Sequence, residues 1–241
     1  MTEVRADQRG SGPVFVITGA SSGIGAATAR QAAAAGYRLV LAARSRERVH
    51  ALAEQLGGEQ HALAVRCDVT RWTDQRSLLA RASERFGRVD AVFANAGLGA
   101  PQGFSDGDVD LWREMVLTNV YGAALTVRAA LPAIAESRGH IVFTGSFLGR
   151  RVLAGSLYSC TKWAVTAMAE AVRQEVHGSG VRVTLVEPGM TSTPFFAKFE
   201  AEPIRAALLP DDIARAVMYA LSQPPHVDVN ELLIRPTAEP G

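Results

Sequence analysis

The chain has 241 residues, 48% of them hydrophobic and 20% charged, with a formal net charge of +1. Such a length can bury a large core without covalent staples, and the composition is globular rather than fibrous or disordered. A charge this near neutral excludes general attraction to nucleic acid or anionic lipid, and no apolar run reaches the ~18 residues a membrane span needs.

Two cysteines, Cys67 and Cys160, and five scattered histidines predict neither a disulfide framework nor a metal site. The start, MTEVRADQRGSGP, lacks the apolar stretch of an export signal, so a cytoplasmic location is expected.

In chain order, residues 1–12 read as a flexible polar tail and 13–241 as one domain. Apolar, β-branched runs then recur: VFVIT (14–18), RLVLAA (38–43), ALAVRC (62–67), DAVFANAG (90–97), HIVFTGS (140–146), VRVTLVEPG (181–189) and ELLIRP (231–236). Most are continuous rather than alternating, as strands covered on both faces are. Alanine-rich, charge-studded stretches of helical period separate them, and IGAATARQAAAAG stops at Gly36, a residue suited to a helix end. Strand alternating with helix predicts an α/β fold, a parallel sheet with helices on both sides. The longest stretch without a strand, 190–230, opens with MTSTPFFAKFEAEPIRAALLP and reads as a lid over a site at about 190–209.

The first run leads into VFVITGASSGIGAATAR: a strand, glycines at 19, 23 and 25, then a helix start. The spacing G-x-x-x-G-x-G differs from the G-x-G-x-x-G fingerprint but can do the same job. Glycine lets the chain turn sharply and brings backbone N–H groups up to a pyrophosphate at the positive end of a helix. A tight turn with no ligand is the plain alternative; the strand–turn–helix–strand context favours a nucleotide. The second run ends LVLAARSRERV, with Arg44 and no carboxylate at the strand end. An acidic residue there bonds a ribose 2′-hydroxyl, whereas arginine suits a 2′-phosphate, so NADP(H) is expected over NAD(H).

In SLYSCTKWAVTAMAEAVRQEV (156–176), Tyr158, Lys162, Val165, Ala169, Val172 and Val176 step by 4, 3, 4, 3 and 4, which is one face of a helix. A lysine at one end of an apolar stripe is costly unless something pairs with it. Cys160 lies about 200° round the helix from Tyr158 and is expected to take no part.

These stretches resemble the motifs of the short-chain dehydrogenase/reductase family, in order, from about residue 13 to the end. TGASSGIG (18–25) is similar to the family's cofactor turn and implies cofactor contacts from Gly19, Ser21, Ser22, Gly23, Ile24 and Gly25. CDVT (67–70) is similar to the stretch where an acidic residue meets the adenine, here Asp68 with Val69 beside it. NAG (95–97), that is Asn95, Ala96 and Gly97, resembles the turn after the fourth strand, and NVYG (119–122) supplies Asn119. GS (145–146) supplies Ser146, and YSCTK (158–162) the Tyr158–Lys162 pair. PGMTST (188–193) is similar to the nicotinamide loop and implies contacts from Pro188, Gly189, Thr191 and Thr193. Three positions depart from the common pattern: Ala94 replaces an asparagine, Gly145 replaces a serine, and Ser146 precedes Tyr158 by twelve residues rather than thirteen.

The resemblance implies a Rossmann-type, doubly wound sheet of about seven strands, a homo-oligomer (tetramer or dimer), and hydride transfer between NADP(H) and a small-molecule carbonyl or alcohol. Charge built on the substrate oxygen then needs a donor and a proton. Tyr158 is expected to supply the proton, with its pKa lowered by the Lys162 ammonium one turn away. Ser146 is expected to hold the reacting oxygen. The resemblance also gives Lys162 the nicotinamide ribose hydroxyls and the Tyr158 oxygen as partners, and gives Asn119 a water in a proton path toward Lys162. Taken singly, each has a plain reading: a core tyrosine, a lysine stretching to water, a turn asparagine, a strand-end serine.

The substrate stays open. The run LLPDDIARAVMYALSQPPHVDVNELLIRPT (208–237) resembles the branch that oxidises serine and other 3-hydroxy acids, with Arg150, Arg151, Lys198 and Arg205 as candidate partners for a carboxylate. Phe195, Phe196 and Phe199 suit an apolar pocket for a ketone instead. The rival of another class is a non-catalytic NADP(H)-sensing protein on the same fold.

Overall fold

The structure, a computed structural model, describes residues 12–195 and 207–238. Seven strands, β1 (Val14–Thr18), β2 (Arg38–Ala43), β3 (Ala62–Arg66), β4 (Ala91–Ala94), β5 (His140–Thr144), β6 (Arg182–Pro188) and β7 (Glu231–Ile234), form one sheet in the order β3-β2-β1-β4-β5-β6-β7. Every pairing is parallel. This is the doubly wound, Rossmann-type sheet that the sequence predicts. The strand order reverses between β1 and β4, so a crevice opens beyond their C-terminal ends.

The apolar runs are continuous because both faces are covered. In β1, Val14 and Val16 enter one core while Phe15 and Ile17 enter the other. The first core is closed by α3 (Trp72–Phe86), α5 (Ala123–Ser137) and α6 (Leu157–Glu175), through residues such as Leu78, Ile134 and Val165. The second is closed by α1 (Gly23–Ala34), α2 (Arg46–Gln55) and α7 (Pro210–Ser222), through Ala29, Leu52 and Val217. Each fully buried Leu, Ile, Val or Phe contributes about 1.5–3 kcal/mol. Phe93, fully buried at the centre of the sheet in β4, is therefore a position where truncation to alanine would cost ~3–5 kcal/mol.

The later runs were expected to extend further than the strands do. DAVFANAG and HIVFTGS leave the sheet at Ala94 and Thr144, because their last residues turn away to form the site. On α6 the expected stripe is buried at Lys162, Val165, Ala169 and Val172. Val165 and Val172 belong to the first core and the partly buried Met168 packs on it.

Between α4 (Val109–Val116) and α5 the backbone widens into a π-helical turn, Leu117–Gly122. The stretch expected as a lid is drawn together at its ends: the Ser192 N–H donates to the Leu208 carbonyl (2.7 Å) and the Leu208 N–H to the Met190 carbonyl (2.9 Å). Phe196, Lys198, Phe199 and Arg205 lie outside the described residues. Among the described residues no helix is long and apolar enough to cross a membrane.

Candidate active site

The β1–α1 turn is a cradle in which side chains do not fit. Gly19 (φ +66) and Gly23 (φ +53) sit in the left-handed region. A β-carbon on Gly19 would stand 2.9 Å from Ala96 Cα, and one on Gly25 would stand 2.5 Å from the Gly19 carbonyl oxygen. Ser22 is the N-cap of α1, but its side chain makes no capping bond and the first helical turn carries no acid. The N–H groups at this end are thus left for an outside anionic acceptor, which is what a pyrophosphate offers. Ser21, Ser22 and Ile24 line the turn half-buried, and Ile24 packs into the core below. The loop from Pro188 to Thr193 comes over the turn from β6: a β-carbon on Gly23 would lie 3.2 Å from Thr193 Cγ2. The Thr191 hydroxyl bonds the Gly189 carbonyl (3.0 Å), and the Gly189 N–H bonds the Ile234 carbonyl of β7 (2.7 Å). These residues fit a dinucleotide.

The NAG turn closes the other side of the crevice. Asn95 turns its side chain inward: Nδ2 donates to the Thr18 carbonyl (2.9 Å) and Oδ1 accepts from the Thr144 hydroxyl (3.0 Å). It was expected among the cofactor contacts, yet its amide braces the ends of β1, β4 and β5. Ala96 forms the wall beside Gly19, and a β-carbon on Gly97 would approach Asn119 Oδ1 to 3.3 Å.

At the adenine end, Asp68 accepts from the Thr70 N–H (3.0 Å) and the Thr70 hydroxyl (2.8 Å). Burial works to raise its pKa, but these bonds and the Arg44 and Arg71 charges hold the carboxyl below its ordinary value. Val69 is buried against Gly122. Arg44, largely exposed, reaches Glu114 of α4, with Nη1 2.6 Å from Oε1.

On the β5–α6 side, polar side chains are withdrawn from water. Lys162 is 5% exposed and Ser146 7%. The Ser146 hydroxyl lies near enough to the Tyr158 phenol to favour its ionised form. Ser146 Oγ also accepts from the Leu148 N–H (3.1 Å), as N-cap of the one-turn helix Phe147–Gly149. Lys162 Nζ donates to the Thr144 carbonyl (2.8 Å) and stands 5.6 Å from the centre of the Tyr158 ring, within cation–π range.

Two expectations need correction here. Lys162 meets a main-chain oxygen and the face of the tyrosine ring, not the phenol oxygen, because its extended side chain runs on to the end of β5. The Tyr158 pKa, expected to be lowered, is instead raised by desolvation, with only the nearby Ser146 hydroxyl acting the other way. Desolvation in turn pushes the Lys162 ammonium down to about 8.

Asn119, 2% exposed, lies in the π-helical turn. Its Oδ1 accepts from the Leu98 N–H (2.9 Å), and its Nδ2 donates to the Leu98 carbonyl (2.8 Å) and to the Thr161 hydroxyl (3.1 Å). Thr161 in turn donates to the Tyr158 carbonyl (2.7 Å). The side chain expected to hold a water is therefore a clamp between the β4 loop and the start of α6.

Arg150, expected as a partner for a substrate carboxylate, is already engaged: Nε and Nη2 lie 2.8 and 2.9 Å from the two oxygens of Glu187, and Glu231 pairs with it as well. Arg151 is exposed and faces the Phe147 ring. Phe195 packs against Tyr158, with ring centres 5.5 Å apart. Cys160 is exposed. The sequence reading missed Leu98, Thr144 and Thr161, which act largely through main chain or a lone hydroxyl and leave no pattern. It also missed Glu187, whose signal was legible: a carboxylate at the end of the inward row Val181, Val183, Leu185.

A family profile described as short chain dehydrogenase matches residues 13–203. An uncharacterized oxidoreductase of Staphylococcus saprophyticus is 38% identical over 227 residues, covering 92% of this chain and 97% of that protein. An alcohol dehydrogenase from the archaeon Thermococcus sibiricus, complexed with 5-hydroxy-NADP, superposes with a TM-score of 0.89 at 34% identity, covering 96% of this chain and 99% of that one. The closed form of a serine dehydrogenase complexed with NADP+ superposes equally well, with a TM-score of 0.89 at 29% identity over 95% of this chain and 96% of that one.

Proposed function

The chain belongs to the short-chain dehydrogenase family, and from that premise we propose that it is an NADP(H)-dependent oxidoreductase interconverting a carbonyl and a secondary alcohol, with Ser146, Tyr158, Lys162 and Asn119 as its working residues. One observation carries this reading: Ser146 and Lys162 are both withdrawn from water, with Lys162 over the Tyr158 ring, at the same strand ends as a glycine cradle.

A bound nicotinamide supplies or accepts the hydride. Ser146 donates to the reacting oxygen and stabilises its developing charge. Tyr158 gives that oxygen its proton in reduction and takes it back in oxidation. A raised pKa keeps the phenol protonated at neutral pH, the form that reduction needs. Lys162, held to the end of β5 and over the Tyr158 ring, is placed to meet the nicotinamide ribose hydroxyls. Asn119 holds the β4 loop and α6 in register, and Phe195 covers the Tyr158 ring with an apolar surface.

For the cofactor, Arg44 at the end of β2 supports NADP(H), and two of the similar structures carry NADP or its derivative. The exposed Arg44–Glu114 pair is worth about 0–1 kcal/mol, so a 2′-phosphate can displace Glu114. For the substrate, the capture of Arg150 and the Phe195 contact favour an uncharged ketone or aldehyde. The similarity to a serine dehydrogenase supports 3-hydroxy acids as the second reading. Tyr121 on the π-helical turn and Trp163 on α6 are exposed and suit a homo-oligomer, a dimer or tetramer, and a cytoplasmic setting is part of this reading.

The test is a panel of ketones, semialdehydes and β-keto acids with NADPH and with NADH, followed by the loss of reduced-cofactor absorbance. Consumption with uncharged carbonyls and NADPH is the expected result. Tight NADPH binding with no turnover on any member would replace the enzyme by a sensor.

A further inference from the structure

Along the inward side of β6 the chain places Val183 and Leu185 in the core beneath α6, and the alternation of a strand puts Glu187 on that same side. Glu187 has no exposed surface. A carboxylate so placed must be paired. Arg150 meets it with two parallel bonds of 2.8 and 2.9 Å, a fork that fixes direction as well as distance. Glu231 of β7 holds the same guanidinium.

Arg150 directly follows the one-turn helix capped by Ser146. At the other end of this short segment the Gly145 N–H donates to the Val186 carbonyl (2.7 Å). A β-carbon on Gly145 would meet Glu187 Cγ at 3.0 Å, so glycine here makes room for the buried acid. The segment is thus tied to β6 at both ends, and the Ser146 hydroxyl is held between the two ties, facing Tyr158.

We propose that the Arg150–Glu187 pair is a positioning device for the Ser146 hydroxyl, fixing the segment that carries it to the strand that leads into the Pro188–Thr193 loop. This rests on the reading of Ser146 given above. Neither partner touches the reacting atoms; both act through Ser146. A hydroxyl displaced by about 1 Å loses much of its hold on a developing charge, on the order of 100-fold in rate.

The test uses the full-length protein with NADPH and whichever carbonyl it reduces. Arg150→Met is expected to lower kcat on the order of 10–100-fold, with the NADPH Kd, read by fluorescence, unchanged. The same substitution in a Ser146→Ala background is expected to cost almost nothing further, because both changes remove one interaction. Wild-type kcat in Arg150→Met, or a full further loss in the Ser146→Ala background, would overturn the proposal. Should Arg150→Met fail to fold with Glu187 left unpaired, the variant Arg150→Met/Glu187→Leu removes both charges. It must then show the same fall in kcat at near-wild-type Tm, and wild-type kcat in it overturns the proposal equally. A Ser146→Ala protein at wild-type rate refutes the Ser146 reading itself. Loss in Ser146→Ala with intact turnover in the Arg150 variants refutes only the positioning role.

Discussion

Along the β1–α1 side of the crevice the working surface is main chain, whereas along the β5–α6 side it consists of polar side chains taken out of water. The first side is made by leaving side chains out: Gly19, Gly23 and Gly25 bring backbone close to backbone and to the free end of a helix. The second is made by burying Ser146, Lys162 and Glu187 and then finding each a partner. The contrast teaches where each half is vulnerable. A backbone cradle fails when anything is added to it, and a buried polar cluster fails when anything is taken away. The first should respond in cofactor affinity, the second in turnover and in the pH dependence of stability.

The largest effect tests the side-chain half. Tyr158→Phe should lower turnover by about 10²–10⁴-fold, the range of a lost general acid, while NADPH still binds. A variant that reduces substrate at the wild-type rate would remove the proton role from Tyr158. Next comes the backbone half. The β-carbon of Gly25→Ala would fall 2.5 Å from the Gly19 carbonyl oxygen, and overpacking of that kind costs ~1–3 kcal/mol. If that strain falls on the bound state, NADPH affinity drops by about 5- to 100-fold; unchanged affinity in a titration would mean that the cradle is not where the pyrophosphate sits.

A smaller effect separates the two cofactors. Arg44→Ala should weaken NADPH by about tenfold, or ~1.4 kcal/mol, and leave NADH nearly untouched. Equal losses would contradict the 2′-phosphate assignment.

The smallest effect has the opposite sign and belongs to the side-chain half alone. The Lys162 pKa falls from its ordinary 10.5 to about 8 in the folded chain. Between those values the unfolded chain binds more protons, so stability rises with pH across that window. The penalty of the buried charge is therefore present below pH 8 and fades toward 10.5, and by the size of the shift it is ~3 kcal/mol. Lys162→Met removes that penalty together with the ~1 kcal/mol bond to the Thr144 carbonyl. It should be inactive yet raise Tm at pH 7 by about 4–8 °C, the effect of a net ~2 kcal/mol in a chain of this size, an advantage that disappears near pH 10. A lower Tm at pH 7 would show that the ammonium is better paired than its surroundings imply.

Much of this was legible before folding. β1 and β2 begin and end where the runs VFVIT and RLVLAA do, because strands buried on both faces leave an unbroken apolar record. The helix stripe from Tyr158 to Val176 was legible because side chains on one face recur at fixed steps, and the glycine turn because only glycine tolerates its geometry. Less legible was what Asn95, Asn119 and Arg150 do. Each is a polar residue in a loop or turn, and each was assigned to cofactor, water or substrate. In the fold their side chains hold other parts of the chain: Asn95 the ends of β1 and β5, Asn119 the Leu98 backbone, Arg150 the Glu187 carboxylate.

Local order alone therefore determined the strands, the turn and the placing of Tyr158 and Lys162 on one face, since these depend on steps of a few residues and on backbone sterics. The tertiary structure alone decided which oxygen Lys162 meets, which acid captures Arg150, and that the Tyr158 phenol is raised rather than lowered. Those outcomes depend on neighbours supplied from elsewhere in the chain, and on water being excluded by elements that meet only when the sheet closes. A hydrogen-bond partner and a local dielectric are properties of a place in the fold, and no spacing along the chain encodes them.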